Sequence, residues 1–133
     1  MYNAGEMFNT FMQSLLAQTL TSLEIIIVDD GSVDGSDARA DAYAAQHPHI
    51  TVIHQENGGV SCARNVGLRI ARGKYVTFLD TDDTMRPEMY QMLVEMAERD
   101  DLDAAQCNAE CFFSATAAPS RLSRSTTCAA PRC

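Results

Sequence analysis

Two groups of aspartates are the residues of this chain best suited to chemistry. Asp29-Asp30 stand together, and Asp80, Asp82 and Asp83 place three carboxylates within four residues. Carboxylates packed that closely repel one another, and partial burial raises the cost. A divalent cation offsets the repulsion, and a donor set made only of oxygens favours Mg2+ or Mn2+. The plainer alternative is that these aspartates form solvated turns and helix caps. Their setting argues for more, because each cluster follows a segment that reads as a strand. Ligands of open parallel sheets bind beyond the carboxyl ends of the strands.

The elements that position them follow from periodicity. Met7, Phe8, Phe11, Met12, Leu15 and Leu16 recur every three to four positions, so residues 6–18 are predicted as an amphipathic helix. Ile25-Ile26-Ile27-Val28 is a continuous β-branched run and suits a strand buried on both faces. A helix over residues 36–46 follows, closed by His47-Pro48, and Ile50-Thr51-Val52-Ile53 is a second strand. Asn57-Gly58-Gly59 turns into a helix over residues 60–72, with Gly73 as its stop. Residues 74–79 are predicted as a third strand, Met89, Leu93 and Met96 mark a fourth helix, and a weaker strand is expected over 102–107. The alternation is that of an α/β doubly wound parallel sheet. Such a sheet normally opens with a strand, whereas this chain opens with a helix, so the first strand is expected to be missing.

The chain has 133 residues and a formal net charge of −8. That length suits one domain with a packed core. The acidic balance, with no basic stripe, excludes a nucleic-acid binder held by phosphate contacts. All 18 acidic residues and seven of the ten basic ones precede residue 114, and the last twenty residues hold three arginines and no acid. That segment, 114–133, lacks periodicity, aromatics and glycine, and is expected to be disordered. No apolar run has the length of a membrane span, and no signal peptide is evident. Five cysteines without a disulfide rhythm read as reduced thiols of a cytoplasmic protein. Cys107 and Cys111 lack a second ligand pair for zinc. His47, His49 and His54 lack a metal spacing and read as surface residues.

Five ordered motifs carry a resemblance. Tyr2-Asn3 looks like the end of a P-x-Y-N motif, and residues 14–19 (SLLAQT) resemble an S-x-L-x-Q-T helix end. Residues 27–34 (IVDDGSVD) match V-D-D-G-S-x-D. Residues 55–65 (QENGGVSCARN) match Q-x-N-x-G-x-x-x-A-R-N, and residues 73–83 (GKYVTFLDTDD) match G-x-Y, an apolar strand and D-x-D-D. Together they resemble the nucleotide-sugar-binding half of family 2 glycosyltransferases. The resemblance implies a Rossmann-like GT-A nucleotide-diphospho-sugar-binding fold, with an incomplete parallel sheet flanked by helices over residues 1–113.

The resemblance also implies roles. Tyr2 would stack on a uracil ring and Asp30 would accept a hydrogen bond from it, with Asp29 and Asn57 in the same nucleotide-sugar site. Arg64, in the first part of its helix, would help hold the nucleotide. Asp80 would contact the ribose, while Asp82 with Asp83 would hold Mn2+ or Mg2+ on the diphosphate. The reaction implied is inverting transfer of a sugar from a UDP-sugar to a polysaccharide or glycoconjugate acceptor, at the cytoplasmic side of a membrane and with peripheral association allowed. The carboxylate base and acceptor half of the family are expected downstream of Phe113, so the chain reads as a donor-binding fragment, inactive in isolation. No catalytic base is assigned.

Plainer roles stand beside these. Tyr2 as a frayed terminus, Arg64 as a surface helix residue and Gly58-Gly59 as an ordinary turn are the alternatives. Residues 80–84 (DTDDT) also fit the D-x-D-x-T motif of haloacid-dehalogenase-like phosphatases, but no lysine follows Thr84. A receiver domain is disfavoured because the only lysine, Lys74, precedes Asp80. A remnant that at most binds UDP and metal is the rival from a different class.

Overall fold

The β-branched run Ile25-Ile26-Ile27-Val28 forms the centre of the first of two units. The computed structural model describes residues 1–108, 110–111 and 120–121. One unit comprises Met1–Pro87 and the other starts at Glu88. In the first, the element order is α1 (Met7–Leu16), β1 (Ile25–Asp29), α2 (Ser36–Gln46), β2 (Ile50–His54) and α3 (Val60–Ile70). β1 and β2 pair in parallel, in a register that sets Ile25 opposite Ile50 and Asp29 opposite His54. This is the α/β arrangement expected, a small parallel sheet flanked by helices.

Side-chain alternation along β1 decides what covers it. Ile26 and Val28 face α3, and a methyl group placed on Gly67 would lie 3.8 and 3.6 Å from their side chains. Glycine therefore lets the helix lie close on the strand. Ile25 and Ile27 point the other way and are also buried, so both faces of β1 are covered. Phe8 and Met12 of α1 are fully buried, and Phe8 meets Tyr43 of α2 edge-on, 5.9 Å between ring centroids. At the far end of the strand, Glu24 takes hydrogen bonds from the backbone N–H and guanidinium of Arg72, both at 2.9 Å, which ties the end of α3 to the start of β1.

One predicted strand is absent. Residues 74–79 carry no strand, because a strand exists only within a ladder. Among the described residues β1 pairs with β2 on one side, and on the other its backbone partner is Met1. The Met1 N–H donates to the Val28 carbonyl, and the Met1 carbonyl accepts from the Asp30 N–H at 2.9 Å. With no strand to pair against, residues 74–79 leave Val76 and Phe78 about half exposed, at 47% and 48%.

In the second unit, α4 (Met89–Arg99) matches the predicted fourth helix. It ends in a Schellman turn: Asp101 adopts φ +53° and the Leu102 N–H reaches the Ala97 carbonyl at 2.8 Å. The weak strand expected over 102–107 is not formed. Instead β3 (Glu110–Cys111) pairs antiparallel with β4 (Ser120–Arg121). The expected disorder of 114–133 falls, outside Ser120–Arg121, beyond the described residues, as do Cys128 and Cys133. No helix among the described residues is long and apolar enough to cross a membrane.

Candidate functional site

Asp29 and Asp30 are neighbours in sequence but serve different faces of the sheet. Period-two alternation sends Asp30 toward the α3 side and Asp29 toward the α2 side. Both are almost fully buried, at 4% and 2% exposure.

The Asp30 carboxylate is the organising acceptor of the loop before α3. One oxygen accepts from Gln55 Nε2 at 2.6 Å and from the Gly58 N–H at 2.8 Å, and the other accepts from the Gly59 N–H at 2.8 Å. The Gly58 N–H, aided by Gln55 and Gly59 against the effect of burial, holds this carboxyl below the usual carboxylate range. Gly59, the residue before the first turn of α3, sits at φ +85° and ψ 163°, a conformation open essentially only to glycine. Asn57 lies exposed in the same loop.

The turn after β1 approaches that loop closely. Gly31 has φ +80°, and a Cβ there would come within 3.1 Å of the Asn57 backbone nitrogen. Gly31→Ala is expected to destabilise the first unit by about 1–3 kcal/mol, because it combines a left-handed conformation with a contact that backbone must relieve. Urea unfolding followed by circular dichroism measures this.

The segment Tyr2-Asn3 is fastened to the same turn. Asn3 N–H donates to Ser32 Oγ at 3.0 Å, and Asn3 Oδ1 accepts from the Val33 N–H at 2.9 Å. Gly5 N–H donates to Asp34 Oδ2 at 2.9 Å. The Tyr2 ring, 53% exposed, stays available on the surface.

Arg64 and Asp80 come together. Arg64 Nη2 donates to Asp80 Oδ1 at 3.1 Å, and the guanidinium lies 5.6 Å from the centroid of the Phe78 ring. An exposed pair of this kind contributes only about 0–1 kcal/mol, so an anionic ligand can draw Arg64 away. Asp82 and Asp83 lie exposed beyond Asp80, where the Asp83 N–H closes a turn onto the Asp80 carbonyl at 3.2 Å. Among the described residues no group of three or more His, Cys, Asp or Glu side chains is placed to hold a metal ion. Two exposed carboxylates are too few to bind a divalent cation alone. They do fit a cation whose other ligands are phosphate oxygens and water, the usual arrangement for Mg2+ beside a nucleotide.

Sequence reasoning missed three supports. Ser14, Gln18 and Thr19 of the S-x-L-x-Q-T motif hold the backbone just past the D-x-D-D turn. Ser14 Oγ accepts from the Met85 N–H at 3.3 Å, Gln18 Nε2 donates to the Arg86 carbonyl at 2.8 Å, and the Thr19 N–H donates to the Pro87 carbonyl at 2.9 Å. Gln55 anchors Asp30. His54 is a surface residue, but its two ring nitrogens lie 3.0 Å from Asp29 Oδ2 and 3.1 Å from Asp41 Oδ1. The equal lengths of the two strand runs, which set Asp29 opposite His54, were the available signal.

A parallel sheet flanked by helices, with a Gly-Gly loop gripped from one strand end and a D-x-D-D turn joined to the next helix, defines a GT-A glycosyltransferase architecture. The solved structure of Staphylococcus aureus TarS matches it with a TM-score of 0.71 and 27% sequence identity, over 77% of this chain and 19% of that one. The family model for glycosyl transferase family 2 matches residues 1–130, and the chain belongs to that family. The match runs past Phe113, where the motifs end. The uncharacterized glycosyltransferase YibD of Escherichia coli (strain K12) is 53% identical over 116 residues, covering 87% of this chain and 34% of that protein. The uncharacterized glycosyltransferase EpsJ of Bacillus subtilis (strain 168) is 47% identical over 107 residues, covering 80% of this chain and 31% of that protein. The chain thus spans about one third of the length of these curated relatives.

Proposed function

We propose that this chain provides the donor site of an inverting glycosyltransferase that uses a UDP-sugar with Mn2+ or Mg2+. The observation that carries this reading is the convergence of three motifs: Asp30 grips the Gly58-Gly59 loop, that loop opens α3, and Arg64 of α3 pairs with Asp80 of the D-x-D-D turn.

Electrostatics favours the metal. Asp80, Asp82 and Asp83 stand together on an exposed turn, where Asp80 is paired with Arg64. A diphosphate approaching such a surface is repelled unless a divalent cation is present. Asp82 and Asp83 would hold that cation, which would stabilise the departing UDP as a Lewis acid. Arg64 would turn from Asp80 to the nucleotide, freeing Asp80 to accept from the ribose hydroxyls. Tyr2 would stack on the uracil. Asp30 keeps the loop and Asn57 in place, and accepts from the base edge with whatever capacity its three donors leave.

The acceptor, a polysaccharide or glycoconjugate, and a cytoplasmic site of action follow from the family resemblance alone. No residue of this chain is given the role of catalytic base.

Nucleotide selectivity tests the assignment. In the presence of Mn2+, UDP is expected to bind at least about tenfold tighter than UMP, a difference of about 1.4 kcal/mol, because only the diphosphate completes the metal's ligands. Equal affinity for UDP and UMP in competition calorimetry contradicts the assigned role of the D-x-D-D turn.

A further inference from the structure

The His54 ring stands between two carboxylates from different elements. β1 and β2 end in register, so Asp29 and His54 are paired neighbours on one face. From α2, Asp41 reaches the other ring nitrogen. Asp29 and Asp41 are the charged groups that act on the ring. A neutral imidazole has a single N–H, and would turn a ring lone pair toward one of these carboxylates at about hydrogen-bond distance. Only the imidazolium supplies a donor to each.

The two carboxylates differ in what they need. Asp41 is exposed, its side chain at 63%, whereas that of Asp29 is at 3%. The other oxygen of Asp29 accepts the Ser32 N–H at 3.1 Å, which sets the turn through Gly31. A charged His54 therefore compensates a buried carboxylate and ties the donor-site turn to α2.

We propose that the His54 imidazolium is a positioning residue of the donor site. It fixes Asp29 and the Gly31-Ser32 turn, and through the adjacent Asp30 the 58–59 loop, so that nucleotide affinity falls when His54 loses its proton. The proposal rests on the donor-site reading given above.

The sign of the pH dependence follows from the partners. Hydrogen bonds to Asp29 and Asp41 outweigh burial and raise the His54 pKa above its ordinary value of 6.5. The stabilisation is complete below that ordinary value and is lost as pH rises through the higher folded-state value. For Asp29, burial pushes upward but the bonds from His54 and Ser32 prevail, leaving its carboxyl below its ordinary range. Its contribution is lost only in acid. The Met1 ammonium, beside Asp29 and Asp30 and with its pKa lowered from 8.0 by burial, also loses its proton as pH rises. The share of an alkaline loss that belongs to His54 is therefore the share that His54→Gln removes.

The test is UDP affinity with Mg2+ at about pH 6.5 and about pH 9, for the wild-type chain, His54→Gln and Asp41→Asn, alongside NMR titration of the His54 ring. Wild type is expected to weaken about tenfold more than His54→Gln, which shares the ligand's own titrations and binds weakly at both pH values. Asp41→Asn removes an exposed partner and is expected to shift the affinity profile and the ring pKa downward together. The proposal is overturned if wild type and His54→Gln lose affinity by the same factor, or if the ring titrates below its ordinary value. UDP binding that ignores pH refutes the link to affinity alone. No UDP binding by any form at either pH, with the ring still titrating high, refutes the donor-site reading and removes the link with it.

Discussion

Asp30→Ala is expected to lower UDP affinity at least about a hundredfold, because three directed donors lose their shared acceptor. The Gln55 amide and the Gly58 and Gly59 N–H groups all converge on that carboxylate, within a part-buried loop. Without it they turn to water, and the loop that carries Asn57 and starts α3 loses its single preferred shape. Arg64 follows from the same helix, so the damage reaches the residue that would contact the nucleotide. Asp30→Asn separates shape from charge: it keeps the size and one acceptor oxygen but turns an NH2 group toward the donors. Affinity between wild type and Asp30→Ala is expected. Calorimetry reads the affinities, and hydrogen exchange at Gly58 and Gly59 reads the loop, where faster exchange should accompany weaker binding. Full UDP affinity in Asp30→Ala contradicts the role given to this carboxylate.

Asp82→Ala is expected to bring UDP affinity in Mn2+ down to the level seen with a chelator. The residue is exposed, so its removal should leave the melting temperature unchanged. The loss therefore reports ligand chemistry rather than unfolding. Asp83→Ala is expected to weaken binding less, since Asp83 shares the cation rather than holding it alone. The metal by itself is expected to bind weakly to every form, because two carboxylates without a diphosphate leave most of its coordination to water. Manganese titration followed by paramagnetic relaxation of water protons, with and without UDP, separates these contributions. Equal metal affinity with and without UDP would count against a shared site.

Much of the first unit was legible in the sequence because its elements carry strong periodic signals. The α1 stripe, the β-branched run of β1 and the Gly-Gly entry to α3 each need only local information. Residues 74–79 were misjudged for a reason local patterns do not contain. Tyr75-Val76-Thr77-Phe78-Leu79 has the composition of a strand, yet pairing requires a neighbour, and among the described residues the backbone partner on that side of β1 is Met1. The 110–111 and 120–121 pair was equally invisible, since two-residue strands have no periodicity to detect.

The site was legible as a set of motifs and not as a mechanism of positioning. Asp29 and Asp30 read as one acidic cluster, whereas alternation along β1 sends them to opposite faces and to separate tasks. Gln55 and His54 looked like ordinary polar residues because their partners lie 25 positions away in sequence. Ser14, Gln18 and Thr19 carried a motif without a visible purpose. Their bonds to Met85, Arg86 and Pro87 supply one, by anchoring the chain just past the D-x-D-D turn.

The most direct measurement is a calorimetric titration of UDP into the wild-type chain in Mn2+, repeated in excess chelator. Saturable binding of one UDP per chain with Mn2+, and none with chelator, is the predicted result. Binding of equal strength in both, or no binding in Mn2+ by a chain whose circular dichroism shows it folded, contradicts the assignment of a metal-dependent donor site.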